Sequence, residues 1–428
     1  MRLKSGAAGI IIRECHVDSA PRRRARRTTS AVFSARRAVR RTLAMSRLVP
    51  SRVVALRRAP TAPPRGRRAV TARAASAPVT ITAPVSSVLG SMTMGWTFAS
   101  EPCDDAVSER LIRRFVDAGH SEIDTAVAYA GGETERILGR VLAAHPDLAD
   151  KVTVATKVNP WPGGNMTSGA GEGGLAPAEL EAQVDRSLES LGDADVDLLY
   201  LHAPDAATPI ERTLEALAIQ HERGAFRRLG LSNFAAWECV RVHAMCDAFG
   251  LPRPDTYQGM YNCVTRAVEP ELLPALRALD MRFLAYNPLA GGLLTGKHEA
   301  GGGGADKNAS SSRRGRFSEN KMYLDRFWRP EYFAAVDAIA AACGKHEGLT
   351  VADASLLWLY SHSRLDGARG DGVVLGASSE AHLEANLGAA ARAAAGETLP
   401  DDVLDAIEAG FEMCAGVQPP YSRGHSRL

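Results

Sequence analysis

Eight short apolar runs, each giving way to helix-patterned sequence, predict an α/β fold: a (β/α)8 TIM barrel with insertions. Two further observations favour it. The repeating part of the chain is roughly 330 residues, and such barrels need about 250 and stretch past 400 with insertions. No G-x-G-x-x-G follows the first run, where an open doubly wound sheet, the competing architecture, would hold a pyrophosphate.

In chain order the runs end near Met94, Asp124, Lys157, His202, Ser232, Gln258, Tyr286 and Gly376. Helical spacing of apolar residues follows at 104–118, 133–144, 177–191, 210–223, 235–249, 270–279 and 381–395. In the second of these, Ile137, Leu138, Val141 and Leu142 share one side. A long insertion separates Tyr286 from the eighth run and holds two more helical stretches, 330–345 and 351–361. Two Gly-rich loops interrupt the pattern. Residues 163–174 read as a connector, and 300–315, on the face where a barrel binds its ligand, as a lid over a cofactor.

The net charge of +2 conceals an asymmetry. Residues 1–76 carry 19 Arg and one Lys against Glu14 and Asp18, so the other 352 residues hold 31 basic and 47 acidic side chains, a balance of −16. An Arg-, Ala- and Ser-rich segment nearly free of acids is the composition of an organellar transit peptide. A basic tail for nucleic acid or anionic membrane is the competing reading. The acidic body that follows and the processing-like sequence VTARAA at 70–75 favour import. The expectation is a disordered leader at 1–76, a barrel at 77–428, and delivery to the chloroplast stroma, with the mitochondrion as alternative. No run reaches the roughly 20 apolar residues of a membrane span. Cys103, Cys239, Cys246, Cys263, Cys343 and Cys414 show neither C-x-x-C nor zinc-ligand spacing, so reduced thiols and no metal are expected.

The chemistry gathers where strands end. Asp124 closes the second run, Tyr129 lies five residues on, Lys157 closes the third run and His202 the fourth. A Lys at a barrel mouth needs a carboxylate partner, which Asp124 supplies; a purely structural ion pair is the plain alternative. Together the four describe a proton-transfer site. An ammonium beside a phenol favours the phenolate and lowers its pKa, so Tyr129 can protonate a carbonyl oxygen, while a neutral His202 orients that carbonyl. The electron source is missing from this set.

The set Asp124, Tyr129, Lys157 and His202 resembles the catalytic tetrad of the aldo-keto reductases, NADPH-dependent barrel enzymes that reduce aldehydes and ketones. The likeness extends through GSMTMG, EIDTAVAY, ATKVNPW, YLHAPD, GLSNFAAWE, YQGMYN, AYNPLAGGLLTGK and RFW, in that order between Gly90 and Trp328. It is greatest to the aflatoxin-aldehyde and succinic-semialdehyde reductase branch. The resemblance implies a nicotinamide stacked on Tyr286, with its carboxamide held by Ser232, Asn233 and Gln258 and the pocket lined by Met94 and Asp124. It further implies a pyrophosphate wrapped by Asn287, Pro288, Leu289, Gly291, Gly292, Leu294 and Gly296. The adenosine end would meet Gly376, Ser378, Ser379, His382 and Asn386 at a helix start. That segment has Glu380 and Glu384 but no Lys or Arg, so Arg316 and Lys297 are the candidates for 2′-phosphate charge. Tyr323, Arg326 and Arg423 would hold an acidic or polar aldehyde, with Trp161 beside them.

What this implies is reduction of semialdehydes, dicarbonyls and dialdehydes by hydride transfer, with a homodimer typical of the branch and no nucleic-acid or membrane partner. Two other readings stay open on the same residues: a cofactor-binding regulatory subunit that turns over slowly, and an aldolase using Lys157 as a Schiff base.

Overall fold

The computed structural model describes residues 83–96, 102–162, 171–192, 194–299 and 316–427. The expected leader at 1–76 and the expected lid at 300–315 lie outside them, as does most of the 163–174 connector.

Eight parallel strands close into a barrel in sequential order, β8 pairing back onto β1. They are β1 (Ser86–Gly90), β2 (Glu122–Asp124), β3 (Thr153–Val158), β4 (Val196–Leu201), β5 (Arg228–Ser232), β6 (Thr256–Met260), β7 (Arg282–Tyr286) and β8 (Gly372–Gly376). Runs such as Val196–Leu201 are buried nearly throughout because a parallel strand is covered by helices outside and by side chains within. The first strand stops four residues short of Met94. Ser91 Oγ donates to Asp124 O at 2.8 Å and Thr93 Oγ1 donates to Ala377 O, and these hydroxyls draw the chain out of the ladder into a 3-10 turn.

Around the barrel lie α1 (Asp105–Asp117), α2 (Glu133–Ala144), α3 (Pro177–Leu191), α4 (Ile210–Glu222), α5 (Ala236–Phe249) and α6 (Leu272–Ala278). The insertion after β7 supplies α7 (Lys321–Phe327), α8 (Pro330–Cys343) and α9 (Val351–Leu357); α10 (Glu380–Ala394) and α11 (Asp401–Cys414) follow β8. Two starts are set by side chains: the Asp104 carboxylate accepts from Val107 N at 2.9 Å, and the Thr350 hydroxyl from Asp353 N at 3.1 Å. The stretch 351–361 does not stay α-helical; its second half, Trp358–His362, widens to a π turn. Helices α7 and α11 were not anticipated.

The apolar core is mostly a shell between strands and helices, including Leu111, Phe115, Ile123, Leu138, Leu199 and Leu231. Inside the barrel the apolar contribution is small: Val88, Leu284 and Val374, with Tyr286 above them. Leu198 and Tyr200 join them lower down, and charged side chains occupy both ends. At the base, Arg282 forks onto Glu122 with bonds of 2.6 and 2.9 Å, and Asp371, fully buried, accepts from Phe283 N, Asp366 N and the Arg277 guanidinium. The base is thus tied by charge. The opposite rim is left for chemistry.

Candidate active site

The carboxyl ends of β2, β3 and β4 bring the four anticipated residues together. Lys157, on the penultimate position of β3, is 0% exposed and spends its ammonium on three acceptors: Asp124 Oδ2 at 2.6 Å, Thr125 O at 2.7 Å and Tyr129 Oη at 3.2 Å. An ammonium has three donors, so none remains. The bond to Tyr129 occupies the phenol oxygen as acceptor and leaves its own O–H to be donated elsewhere. Tyr129 lines the cavity described below, so that donor has somewhere to go.

Asp124 is shared. Its second oxygen accepts from Gln258 Nε2 at 2.7 Å, so one carboxylate from β2 braces both β3 and β6 side chains. His202 follows β4 directly and lies edge-on to both Tyr129 and Trp161, with ring centroids 5.9 and 6.0 Å away. Its Nδ1 is buried with no hydrogen-bond partner among the described residues.

Burial dominates the electrostatics. It pushes the Tyr129 phenol above its ordinary value of 10.0, and the Lys157 charge pulls it back without reversing the sign. The lowering expected from an ammonium beside a phenol is present as a pull, but desolvation outweighs it in the free protein, so the phenol is raised. Burial also works against the Lys157 ammonium, yet the Asp124 carboxylate and Tyr129 together hold its pKa above the ordinary 10.5. His202 goes the other way: burial, then the charges of Lys157 and Arg423, keep it neutral far below pH 6.5. At neutral pH the site therefore holds a protonated phenol, an ammonium and a neutral imidazole.

Above them opens a cavity of about 990 Å³, at the upper end of small-molecule sites at about 300–1,000 Å³. Asp124, Tyr129 and His202 form its floor; Ser232, Asn233, Gln258 and Tyr286 form one wall. Asn287, Pro288, Leu289, Gly291, Gly292 and Lys297 continue along the rim, with Arg316 beside them. Gly376, Ser378, His382 and Asn386 line the far end, and Tyr323, Arg326 and Arg423 the near one.

Six anticipated residues do not line it. Lys157 lies beneath the floor, fully buried. Met94 and Leu294 belong to the apolar shell. Gly296 caps the 3-10 turn Ala290–Thr295 in a left-handed conformation. The Ser379 hydroxyl caps α10 by accepting from His382 N at 3.3 Å. Trp161 sits behind His202 and under the Arg423 guanidinium, 5.4 Å from its ring centre. In their place Met92, Thr93, Trp96, Phe317, Met322 and Trp328 line the cavity. Nothing in their spacing marks them, since they come from turns and from the post-β7 insertion.

The lining suits a dinucleotide. Asn287 Nδ2 and Arg316 Nε are buried donors with no hydrogen-bond partner among the described residues, facing a space where a phosphate or amide oxygen could accept. A Cβ on Gly291 would stand 2.6 Å from the Tyr323 ring, and its φ of +71° is one that L side chains rarely adopt. Tyr286 Oη donates to Asn233 Oδ1 at 2.7 Å, and Asn233 Nδ2 donates to His202 O at 2.8 Å, which locks that wall to the floor. Among the described residues no group of three His, Cys, Asp or Glu side chains is placed to hold a metal, and no helix is long and apolar enough to cross a membrane. The six described cysteines are all buried with free thiols.

A closed barrel whose cavity floor is formed by Asp124, Tyr129 and His202, with Lys157 bonded beneath it, has the architecture of a (β/α)8 oxidoreductase. The chain belongs to the aldo/keto reductase family, which it matches over residues 88–409. It is similar to human aflatoxin B1 aldehyde reductase member 2, with 41% identity over 345 residues that cover 79% of this chain and 90% of the relative. Human aflatoxin B1 aldehyde reductase member 4 is 40% identical over 341 residues, 78% of this chain and 96% of the relative. Human aldo-keto reductase family 7 member A3 is 40% identical over 343 residues, 79% and 97% respectively.

Proposed function

We propose that this chain reduces reactive aldehydes with NADPH, and that Tyr129 delivers the proton. The observation that carries the reading is the Lys157 bond to Tyr129 Oη, 3.2 Å, which leaves the phenol hydrogen free for the cavity. Similarity to two aflatoxin B1 aldehyde reductases supports the choice of an aldehyde as substrate. The bound dinucleotide supplies a hydride.

The chain's residues do the rest. Neutral His202 hydrogen-bonds the carbonyl oxygen and orients it, leaving Tyr129 as the proton donor. Tyr129 donates its proton to that oxygen as negative charge gathers there. Lys157 steadies the phenolate left behind, and Asp124 keeps Lys157 charged and in place. Ser232, Asn233, Gln258 and Tyr286 hold the nicotinamide end; Asn287 and the glycines after it hold the pyrophosphate; Arg316 and Lys297 hold the 2′-phosphate. Arg326, Arg423 and Tyr323 receive a carboxylate or other polar end of the aldehyde, where a guanidinium fork binds best.

The aldolase reading loses support because Lys157 does not line the cavity and its nitrogen has all three protons committed. The deciding measurement is NADPH oxidation with 2-carboxybenzaldehyde or succinic semialdehyde. Tyr129→Phe is expected to lower kcat by about 10²–10⁴, the scale of general acid catalysis, with cofactor binding retained. Tight NADPH binding without turnover in the unaltered protein would instead make the chain a cofactor-binding regulator. We further propose that residues 1–76 direct import into the chloroplast; a fluorescent protein fused behind them should enter plastids and not mitochondria.

A further inference from the structure

The mechanism has no use for Glu238. It sits in the first turn of α5, is 2% exposed and does not line the cavity. A buried carboxylate nonetheless needs hydrogen-bond partners, and its partners are informative. Oε2 accepts from Ala235 N at 3.2 Å, closing the start of α5. Oε1 accepts from Ser426 N at 2.7 Å, a residue from the far end of the chain. The His425 ring nitrogen Nδ1 lies 3.7 Å from the same carboxylate.

That tail carries Arg423. Its course is set at three points: Arg423 N donates to Asn233 O at 2.9 Å, Ser426 N to Glu238, and Arg427 N to Asp205 O at 3.1 Å. Between the first two the backbone turns at Gly424, whose φ is +70°. The turn sends Arg423 into the cavity and the following residues along α5. Two of the three acceptors are backbone carbonyls. The third is charged, and a carboxylate accepting an N–H makes a shorter, stronger bond than a neutral acceptor.

Arg423 needs such a hold. Its guanidinium is buried over Trp161 and bonded to the Tyr286 side chain, yet desolvation and the like charge of Arg326 in the same cavity outweigh that support and disfavour its place there. We propose that Glu238 is a positioning residue: by anchoring Ser426 it keeps Arg423 aimed into the cavity and so sets the preference for carboxylate-bearing over neutral aldehydes. The inference rests on the reading of Arg423 as a carboxylate-holding residue given above.

The test compares 2-carboxybenzaldehyde with 4-nitrobenzaldehyde in steady-state kinetics. For Glu238→Ala the expected result is a KM for the acidic aldehyde raised about tenfold, kcat within about twofold, and unchanged constants for the neutral one. Glu238→Gln, whose amide oxygen still accepts, should recover most of the loss. Deleting residues 425–428 removes the Ser426 donor together with the Arg427 anchor while leaving the α5 cap intact, and should reproduce the acid-selective rise, at least as large, even if Glu238→Ala does not fold. Equal changes with both aldehydes, or an unaltered ratio in the deletion, overturn the proposal. Arg423→Met separates the two layers. If it shows no acid-selective loss, the reading of Arg423 itself fails; if it does while Glu238→Ala and the deletion keep the ratio, only the role of Glu238 fails.

Discussion

Lys157 and Tyr129 form a pair whose behaviour neither residue has alone. In the free protein burial keeps the phenol protonated past pH 10 and His202 neutral well below pH 6.5. Reduction needs both of those states. The profile of kcat/KM is therefore expected to run flat between pH 6.5 and 10 and to fall only beyond those limits. A limb near the ordinary histidine value would show that burial does not hold His202 neutral across this range. Lys157→Met should lower kcat by about 10²–10⁴, because the phenolate loses the charge that steadies it. It should also move the alkaline limb upward, since the only influence pulling the phenol down strongly has gone. Stability follows the same imidazole with a definite sign. The unfolded chain takes up a proton at His202 below pH 6.5 that the folded chain refuses, so this contribution is full above 6.5 and lost as pH falls. The four residues were legible from type and strand position. Their ranking in energy was not, because desolvation depends on what covers them.

At the scale of elements, seven of the eight strand ends lie within two residues of where apolar runs stop, as at Ser232, Tyr286 and Gly376. The first strand misleads because Ser91 and Thr93 look like strand residues and act as side-chain donors to neighbouring carbonyls. Helix α11 was overlooked although its signals are present: Pro400 before it, Asp401 and Asp402 in its first turn, and Val403, Ile407 and Cys414 buried on one face. Eight β-α units already account for a barrel, so nothing in the repeat calls for it. Its role appears only in contact with α8, where the helices approach so closely that a Cβ on Gly410 would lie 3.1 Å from Ala335 Cβ. Gly410→Leu is expected to cost about 1–3 kcal/mol through overpacking. A urea midpoint lowered with no change in KM would place α11 in stability alone. An unchanged midpoint would show that the two helices yield without strain.

For the whole molecule, the two rims of the barrel divide the work. The mouth gathers groups whose protonation states matter; the base gathers ion pairs that hold strands together. Asp371, just before β8, accepts from Arg277, Phe283 N and Asp366 N, and so ties α6, β7 and the approach to β8 at one buried carboxylate. The sequence alone gave this residue no distinction, because it reads as one acid in a turn and its partners come from distant segments. Asp371→Ala leaves two backbone donors without their acceptor and the partly exposed Arg277 with only Arg364 O, and losing the group that satisfied them costs at most about 3–5 kcal/mol, the scale of a broken buried pair. The loss should appear as a lower urea midpoint. Because the tetrad lies at the other rim, kcat and KM of the folded fraction at 25 °C should match the unaltered protein. A parallel drop in kcat would mean that the rims are coupled, with strain at the base reaching Lys157 through β3, and the division of labour would have to be given up.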